Sequence, residues 1–434
     1  MSRWRTSIEV YSDRSVLLIL PLGFASGLPL LLTASTLSAR LATAGVSRVA
    51  IGAFALVGLP YALKFLWAPV IDRLPPPLRL GRRRGWGIAI QLALIATTLA
   101  MGACDPKRNL PLMGVLALFV AFLSASQDIV IDAYRVELLE PEQQGPGAAM
   151  IQTGYRIAML ASGAGALVIA DRAGWFAAYA AVAALLSCGI LVFLLGPEPR
   201  IAPAVMEGIR LDEKSGLRHW LATAVVAPFA DFARKPLWPV ILIFIVAYKL
   251  GEAMAGVMAM PLYVSLGYSL GEIAAISKVF GFVATIIGAL LGGAMTVRLG
   301  VMRALIICGV LQSAGNLFYV LQAAGGHRLD YLALCVAAEN LTSAMAGAAL
   351  VAYLSGLCSP AFTATQYALL SSLAAVGRTL VASTGGLLAQ RYGWVDFFLL
   401  STIATVPALL LIGWIAWRSP DQANRQPPAA APIN

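Results

Sequence analysis

The strongest constraint on the fold of this chain is a series of long apolar segments that recurs along its whole length. Each segment covers about 20 residues, the length that an α-helix needs to cross the ~30 Å hydrocarbon core of a bilayer. We predict twelve spans, near residues 15 to 39, 46 to 70, 85 to 103, 111 to 136, 147 to 170, 174 to 196, 237 to 264, 272 to 297, 301 to 324, 330 to 355, 362 to 388 and 393 to 417. Only 12% of the 434 residues are charged, whereas globular proteins average about a quarter. The sequence therefore predicts an all-α polytopic membrane protein.

One long polar stretch, residues 197–236, divides the predicted spans into two sets of six. We expect residues 1–196 to form an N-terminal six-helix half, 197–236 a cytoplasmic linker and 237–418 a C-terminal six-helix half. The Pro- and Ala-rich residues 419–434 are predicted to be a disordered cytoplasmic tail.

Positive charge is concentrated in the predicted loops on one side of the membrane. The chain has 31 Lys and Arg residues, 21 Asp and Glu residues and a net charge of +10. The loop after the second span contains Arg73, Arg79 and the run Arg82, Arg83 and Arg84. Because Lys and Arg collect in cytoplasmic loops, we expect both termini to face the cytoplasm, and no nucleic-acid partner is needed to explain the charge.

The sequence offers no pattern typical of a catalytic or metal site. The five cysteines lie in or beside the spans without CxxC or metal-ligand spacing, so we expect no disulfide framework, metal or cofactor. The two histidines, His219 and His327, have no evident catalytic partner, and we expect a protein that is not an enzyme.

The two halves resemble each other in sequence. "GYRIAMLASGAGALVIADRAGW" is similar to "VGRTLVASTGGLLAQRYGW", so that Arg156 matches Arg378 and Trp175 matches Trp394. Repetition at a fixed offset indicates a duplicated unit. Two repeated six-helix halves joined by a cytoplasmic linker are the architecture of the major facilitator superfamily, whose halves rock about a site near the midplane. We therefore predict a major facilitator fold with twelve transmembrane helices.

The segment "WAPVIDRLPPPLRLGRRRGW" partly matches the loop signature of that superfamily. Ala68 replaces the expected leading Gly, and a Pro-rich insertion divides the motif. Acidic and basic residues at a helix end suit a charge latch that holds one conformation, so Asp72, Arg73, Arg82, Arg83 and Arg84 are gating candidates. Ordinary positive-inside anchoring is an equal alternative for the three consecutive arginines.

Several charged residues are predicted to lie inside the membrane, where a charge costs about 2.5 to 3.5 kcal/mol and normally faces a cavity or a partner. The candidate proton carriers are Asp128 and Asp132 of the fourth span, Glu252 of the seventh and Glu339 of the tenth. Asp128 and Asp132 are four residues apart on one helix face, where each makes ionisation of the other less favourable. Alternatively, they pair with Arg135 or Arg156.

A second group of residues is predicted to bind the substrate. Lys249 and Glu252, three apart, can form an ion pair that a substrate carboxylate or a proton would break. The candidates are Lys249, Lys278, Arg156 and Arg378 for anionic groups, with Asn340, Gln127, Tyr248 and Gln366 as neutral partners for sugar. The neutral groups could equally join helices to one another. Gly23 and Gly27 form a G-x-x-x-G step that favours close helix packing.

Together, segments such as "GFASGLPLLL", "KFLWAPVIDR", "SASQDIVIDAYRVELL", "APFADF", "YKLGEA" and "TATQYALLSSLAAVGR" resemble the AmpG-type muropeptide permeases. Glu252 stands where Asp is expected. The resemblance implies proton-driven import of N-acetylglucosaminyl-1,6-anhydro-N-acetylmuramic acid, with or without peptide, from periplasm to cytoplasm for peptidoglycan recycling. It also implies a multi-pass protein of the bacterial inner membrane, a role in β-lactamase induction where that enzyme is inducible, and protons and glycopeptide as partners; we expect a monomer. The alternative is transport of another amphiphilic anion such as acetyl-coenzyme A.

Overall fold

The computed structural model describes residues 9–47, 50–51, 54–199, 226–276, 280–382 and 385–418. These residues are almost entirely helical, and no strand occurs among them. Nine of the helices that they form are long and apolar enough to cross a membrane.

The N-terminal half contains the first six spans. In chain order they are Arg14–Thr33 with Ser35–Thr43 for the first span, Phe54–Gly58, Leu59–Leu63, Lys64–Leu66 and Ala68–Arg73 for the second, Arg82–Ala103 for the third, Leu110–Leu138 for the fourth, and Gln144–Leu160, Ala161–Gly165 and Ala166–Leu195 for the fifth and sixth. The fifth and sixth spans separate at Gly174, where φ is 84°. The second span is thus a chain of short segments rather than one helix.

The C-terminal half follows a short helix, Ala227–Ala233, at the end of the expected linker. Its spans are Trp238–Tyr248 with Leu250–Ser265 for the seventh, Leu270–Ile276 and Phe282–Leu299 for the eighth, Val301–Gly325 for the ninth, Leu329–Leu357 for the tenth, Thr363–Ala382 for the eleventh, and Gly385–Ile403 with Val406–Arg418 for the end of the eleventh and the twelfth. Residues 200–225 of the expected linker and the expected tail, 419–434, lie outside the described residues.

Nine long apolar helices are compatible with twelve spans because one of them is long enough to cross the membrane twice. The helical stretch Pro141–Leu195 is 55 residues long, more than twice the ~20 residues that one crossing requires. The second span, built from short segments, and the eleventh span supply the remaining two. The predicted all-α fold of twelve spans is confirmed.

The backbone repeats between the halves at their turns. Gly45, Gly81 and Gly174 have positive φ, and so do Gly267, Gly300 and Gly393 at corresponding places in the second half. Gly81 and Gly300 differ by 219 positions, as do Gly174 and Gly393. Since glycine is the residue that adopts this conformation at little cost, the duplicated sequence produces the same sharp turns twice.

Close helix pairs depend on glycine in both halves. A side chain on Gly27 of the first span would place its Cβ 2.6 Å from the carbonyl oxygen of Tyr155 in the fifth span. Gly23 contacts the same span at Ile151, so the packing predicted from the G-x-x-x-G step is confirmed. Gly288 and Gly292 of the eighth span meet the tenth span backbone in the same way.

We call the end of the molecule that carries Arg82, Arg83 and Arg84 the basic end. The halves are joined there by hydrogen bonds. The Tyr11 hydroxyl donates to the carbonyl of Leu290 at 2.6 Å, and Ala149 of the fifth span packs against Ala289 of the eighth. The structure is therefore a conformation in which the two halves are closed against each other at the basic end.

Candidate functional site

The first charged cluster lies in the N-terminal half and contains both predicted aspartates of the fourth span. Asp128 accepts a hydrogen bond from the Ser26 hydroxyl of the first span at 2.6 Å. Asp132, one turn further on, pairs with Lys64 of the second span, with the ammonium nitrogen 3.6 Å from its oxygen. The charge of Lys64 also acts on Asp128. Two carboxylates on one helix face thus share one cation. The alternative partners considered for them, Arg135 and Arg156, do not pair with them by any described ion pair.

Lys64 did not stand out in the sequence as a site residue, although it lies in an apolar stretch, "PYALKFLWAPV". It begins the segment Lys64–Leu66, where the second span is interrupted. Interrupted helices are where transporters place their binding groups, because the backbone is freed from regular pairing there. A lysine within an apolar span was the signal that could have revealed it.

The second cluster lies in the C-terminal half. Lys249 and Glu252 of the seventh span form the ion pair that their spacing predicts, and Gln312 of the ninth span also donates to Glu252. Lys249 occupies the interruption between Trp238–Tyr248 and Leu250–Ser265. The pair remains partly exposed, with 16% of the Lys249 side chain and 21% of the Glu252 side chain accessible.

Glu339 of the tenth span faces this second cluster. The charges of Glu252, Arg156 and Lys249 act on its carboxylate. Arg156 comes from the fifth span, in the other half, and is exposed. Within the described part of the chain, the Glu339 carboxylate forms no ion pair. The Asn340 amide beside it donates to the carbonyl of Val336 at 2.8 Å and accepts from Thr285 at 3.1 Å.

The neutral residues predicted to bind sugar occupy different environments. The Tyr248 hydroxyl is buried and donates to the Leu305 carbonyl at 2.9 Å, which ties the seventh span to the ninth. Gln127 is fully buried, and neither polar atom of its amide has a hydrogen-bond partner among the described residues. Lys278 lies outside the described residues, and Arg378 belongs to the eleventh span at a position whose side chain is not described.

Gln366 lies at the basic end, and its described hydrogen-bond partners belong to neither cluster. Its amide donates to Asp231 at 2.8 Å and to the Pro228 carbonyl at 3.0 Å, and accepts from the Ser359 backbone at 2.7 Å. Asp231 also accepts from the Ser359 hydroxyl at 2.5 Å. Gln366 therefore connects the short helix Ala227–Ala233 to the first turn of the eleventh span.

The gating candidates meet the C-terminal half at the basic end. Asp72 accepts from the Thr365 backbone and hydroxyl, each at 2.7 Å, and from the Ala364 backbone at 3.2 Å. These donors form the first turn of the eleventh span, where a helix presents free N–H groups and the positive end of its dipole. Arg83 donates to Asp72 from the other side at 2.8 Å.

The charges around Asp72 decide its ionisation. Asp72 lies in the last turn of Ala68–Arg73 at the basic end, two residues beyond residue 70, where the second span was predicted to end. Burial would raise its pKa, but Arg83 and Arg82 and the hydrogen bonds from Arg83 and Thr365 outweigh burial and hold the pKa below its usual value. The latch is therefore built around a charged carboxylate.

The remaining arginines of the motif have separate partners. Arg82 and Arg83 both bind Glu137 of the fourth span, with 2.8 Å from Arg82 Nη2 to the Glu137 oxygen. Arg84 donates to the carbonyls of Phe193 and Leu194, which end the sixth span. The guanidinium of Arg73 lies 5.0 Å from the centre of the Phe362 ring. Glu137, which the sequence did not single out, completes the latch.

A further connection between the halves comes from Arg135 of the fourth span. This side chain is fully buried; it donates to the Ser355 hydroxyl of the tenth span at 3.0 Å and lies over the ring of Tyr367, 5.3 Å from its centre. Since Arg135 follows Asp132 by three residues, the charged cluster and the closed basic end are on the same helix face.

Comparison with known proteins agrees with the fold and the motifs. The chain is 44% identical to the anhydromuropeptide permease of Escherichia coli K12 over 373 residues, which are 85% of this chain and 73% of that permease. The chain belongs to the AmpG family of permeases. It is also 34% identical to the putative transporter AmpG 4 of Rickettsia conorii, over 85% of this chain and 88% of that protein.

Family models and solved structures agree with a major facilitator fold for this AmpG-family chain. The model described as Major Facilitator Superfamily matches residues 250–433, and the one described as Acetyl-coenzyme A transporter 1 matches residues 15–110. The transporter FucP in its outward conformation superposes with a TM-score of 0.69 at 13% identity, over 93% of this chain and 99% of that one. The proton:xylose symporter XylE superposes with a TM-score of 0.66 at 14% identity, over 93% and 95%. The predicted major facilitator fold is confirmed.

Proposed function

We propose that this AmpG-family permease imports anhydro-muropeptides from the periplasm to the cytoplasm, driven by protons, so that peptidoglycan fragments are recycled. The substrate is N-acetylglucosaminyl-1,6-anhydro-N-acetylmuramic acid with or without its peptide. The observation that carries the proposal is 44% identity to an anhydromuropeptide permease across 85% of the chain. In a bacterium with an inducible β-lactamase, the imported fragments would also feed the induction of that enzyme.

The membrane arrangement in this proposal follows from the distribution of charge. We place the protein in the bacterial inner membrane as a monomer, with the basic end and both termini in the cytoplasm, because Lys and Arg favour that side. The structure then represents a state closed toward the cytoplasm. The named relatives are permeases and transporters, and we propose transport without chemical conversion of the substrate.

The two charged clusters support proton coupling. Four carboxylates, those of Asp128, Asp132, Glu252 and Glu339, lie within the spans, where an unpaired charge is costly. Among the described residues, two lysines pair directly with them, Lys64 with Asp132 and Lys249 with Glu252. Protonation of the two other carboxylates, Asp128 and Glu339, would neutralise their negative charge. Deprotonation on the cytoplasmic side would then release the proton.

Substrate contacts are proposed for positive and neutral polar residues of the predicted spans. The charges of Lys249 and Arg156 act on Glu339, and these residues offer positive charge to a carboxylate of the substrate. Gln127 retains free hydrogen-bonding groups that suit a sugar hydroxyl. Lys278 and Arg378 remain proposed anion-binding residues. The contacts of Tyr248 and Gln366 favour roles in joining helices instead.

One specific observation favours a second candidate. The model of acetyl-coenzyme A transporters matches residues 15–110, which include the first three spans. Acetyl-coenzyme A is also an amphiphilic anion, so the positive groups between the halves would suit it as well.

An uptake assay separates the two candidates. Purified full-length protein is inserted into proteoliposomes with an acidic exterior and offered the labelled anhydro-disaccharide tripeptide, with acetyl-coenzyme A in parallel. We expect uptake of the glycopeptide that depends on the gradient and stops when a protonophore is added. Uptake of acetyl-coenzyme A alone, or of neither by correctly oriented folded protein, would contradict the proposed function.

A further inference from the structure

Lys64 lies at the junction of three elements rather than inside one half. Its own segment packs against the fourth span, which carries Asp132, and against the eleventh span of the other half. Asp132 faces the same junction, since its charge acts on Tyr367 of the eleventh span. Lys64 therefore borders the surface along which the halves meet, on the side of the cluster nearest the closed basic end.

The pairing of Lys64 with Asp132 is loose enough to be exchanged. The separation of 3.6 Å between the charged atoms exceeds the roughly 2.7 to 2.9 Å of a strong charge-assisted hydrogen bond. Both side chains also retain some accessible surface, 10% for Lys64 and 17% for Asp132. An anionic group that enters between the halves can therefore compete with Asp132 for the ammonium group.

We propose that Lys64 binds a carboxylate of the substrate and that Asp132 holds this lysine in place until the substrate arrives. The inference deepens the proposed function and rests on it. It assigns to the N-terminal half an anion-binding site of its own, separate from Lys249 and Arg156. A glycopeptide with carboxylates on its peptide stem could then contact both halves at once.

The charges around Lys64 link this binding to proton uptake. Asp128 and Asp132 of the fourth span already share the one ammonium group. A substrate carboxylate adds a third negative charge, and an uncompensated charge in the membrane is costly. Binding of the substrate should therefore be accompanied by protonation of an aspartate. By linkage, protonation of that aspartate at lower pH should strengthen substrate binding by the same factor by which bound substrate favours the protonation.

Other ionisable groups face the cluster of Lys64, Asp128 and Asp132 from the helices that pack against it. Tyr61 of the second span lies near Asp128, and Tyr367 of the eleventh span lies near Asp132. Arg135 is one turn beyond Asp132 and also contacts Tyr367. Asp132, once released from Lys64, would have Arg135 as its nearest cation on the same helix face, three residues away. Substrate binding would thereby reach a residue that closes the basic end.

The test compares two ligands on the full-length protein in nanodiscs. One is the anhydro-disaccharide tripeptide, and the other is the same molecule with its peptide carboxylates converted to amides. Their dissociation constants are measured for the wild type, Lys64→Gln and Lys64→Arg, with Lys107→Gln in an exposed loop as the matched control. Loss of one charge-assisted contact, about 1.4 kcal/mol or more, corresponds to at least about tenfold weaker binding.

We expect Lys64→Gln to weaken binding of the tripeptide about tenfold and to leave the dissociation constant of the amidated ligand unchanged. Lys64→Arg and Lys107→Gln should retain the preference for the carboxylate form. Equal weakening of both ligands would indicate a structural role, and unchanged binding would remove Lys64 from the site; either overturns the proposal.

A second variant decides the point if Lys64→Gln does not fold. Asp132→Asn leaves Lys64 without its partner and removes one of the negative charges around it. The substrate carboxylate then no longer requires protonation of an aspartate, so we expect tripeptide binding that no longer strengthens as the pH falls. Retention of the wild-type pH dependence by Asp132→Asn would overturn the proposal. A wild-type protein that binds neither ligand would instead contradict the proposed function itself.

Discussion

Asp72 offers the most direct perturbation of the closed state. In Asp72→Asn the neutral amide can still accept one hydrogen bond, but three donors of the eleventh span, the Thr365 backbone and hydroxyl and the Ala364 backbone, lose a charged acceptor. Arg83 keeps its second partner, Glu137, so the N-terminal half should remain folded. The loss therefore falls mainly on the contact between the halves.

The magnitude follows from the number of bonds that exist only in the closed state. A hydrogen bond to a charged group contributes about 1.5 to 3 kcal/mol, roughly twice a neutral one. Weakening of two or three such bonds should shift the equilibrium between closed and open states by about 2 kcal/mol, or roughly thirtyfold toward opening.

Spin-label distance measurement across the basic end provides the assay. Arg79 and Arg303 are exposed at this end, one in each half, and both can be replaced by labelled cysteine after the native cysteines are removed. We expect Asp72→Asn to add a population with a longer distance. The matched control is Asp105→Asn, an exposed aspartate in the loop between the third and fourth spans. A distance distribution identical to that of the parent protein would refute the latch.

Three further predictions address other parts of the structure. Glu252→Gln removes the acidic partner of Lys249 and should abolish gradient-driven uptake in proteoliposomes while exchange of substrate persists; uptake at the wild-type rate would exclude Glu252 from coupling. Gly27→Leu forces a side chain against the fifth-span backbone and should destabilise the protein by about 1 to 3 kcal/mol, seen as a lower unfolding temperature in detergent, whereas Gly413→Leu, which meets no atom within 4 Å, should not. Asp231→Ala and Gln366→Ala remove the same contact, so each should slow transport and the double variant should be no slower than the worse single variant; additive losses would show that the two residues act independently.

The sequence predicted features that depend on neighbours along one helix. Spans follow from the length of apolar runs, and the Lys249–Glu252 pair follows from a spacing of three. The repeat was visible from two similar segments, in which Arg156 matches Arg378 and Trp175 matches Trp394, and the structure has matched turns at Gly174 and Gly393. These features need no knowledge of how the helices are arranged.

Contacts between distant segments could not be predicted in the same way. Asp72 was expected in a latch with nearby arginines, but the sequence did not show that it also accepts hydrogen bonds from the first turn of the eleventh span, nearly three hundred residues away. Gln366 was expected in the substrate site and lies against the helix Ala227–Ala233. Polar residues in a span suggest a partner, but only the packing of the spans decides which one.

The claim that substrate and proton move together is tested most directly by measuring both at once. Proteoliposomes with no imposed gradient contain a pH-sensitive dye, and the anhydro-disaccharide tripeptide is added outside. The account predicts that entry of the glycopeptide acidifies the interior, and that Asp132→Asn separates the two processes. Entry of the glycopeptide without acidification in the wild-type protein would contradict proton-driven import.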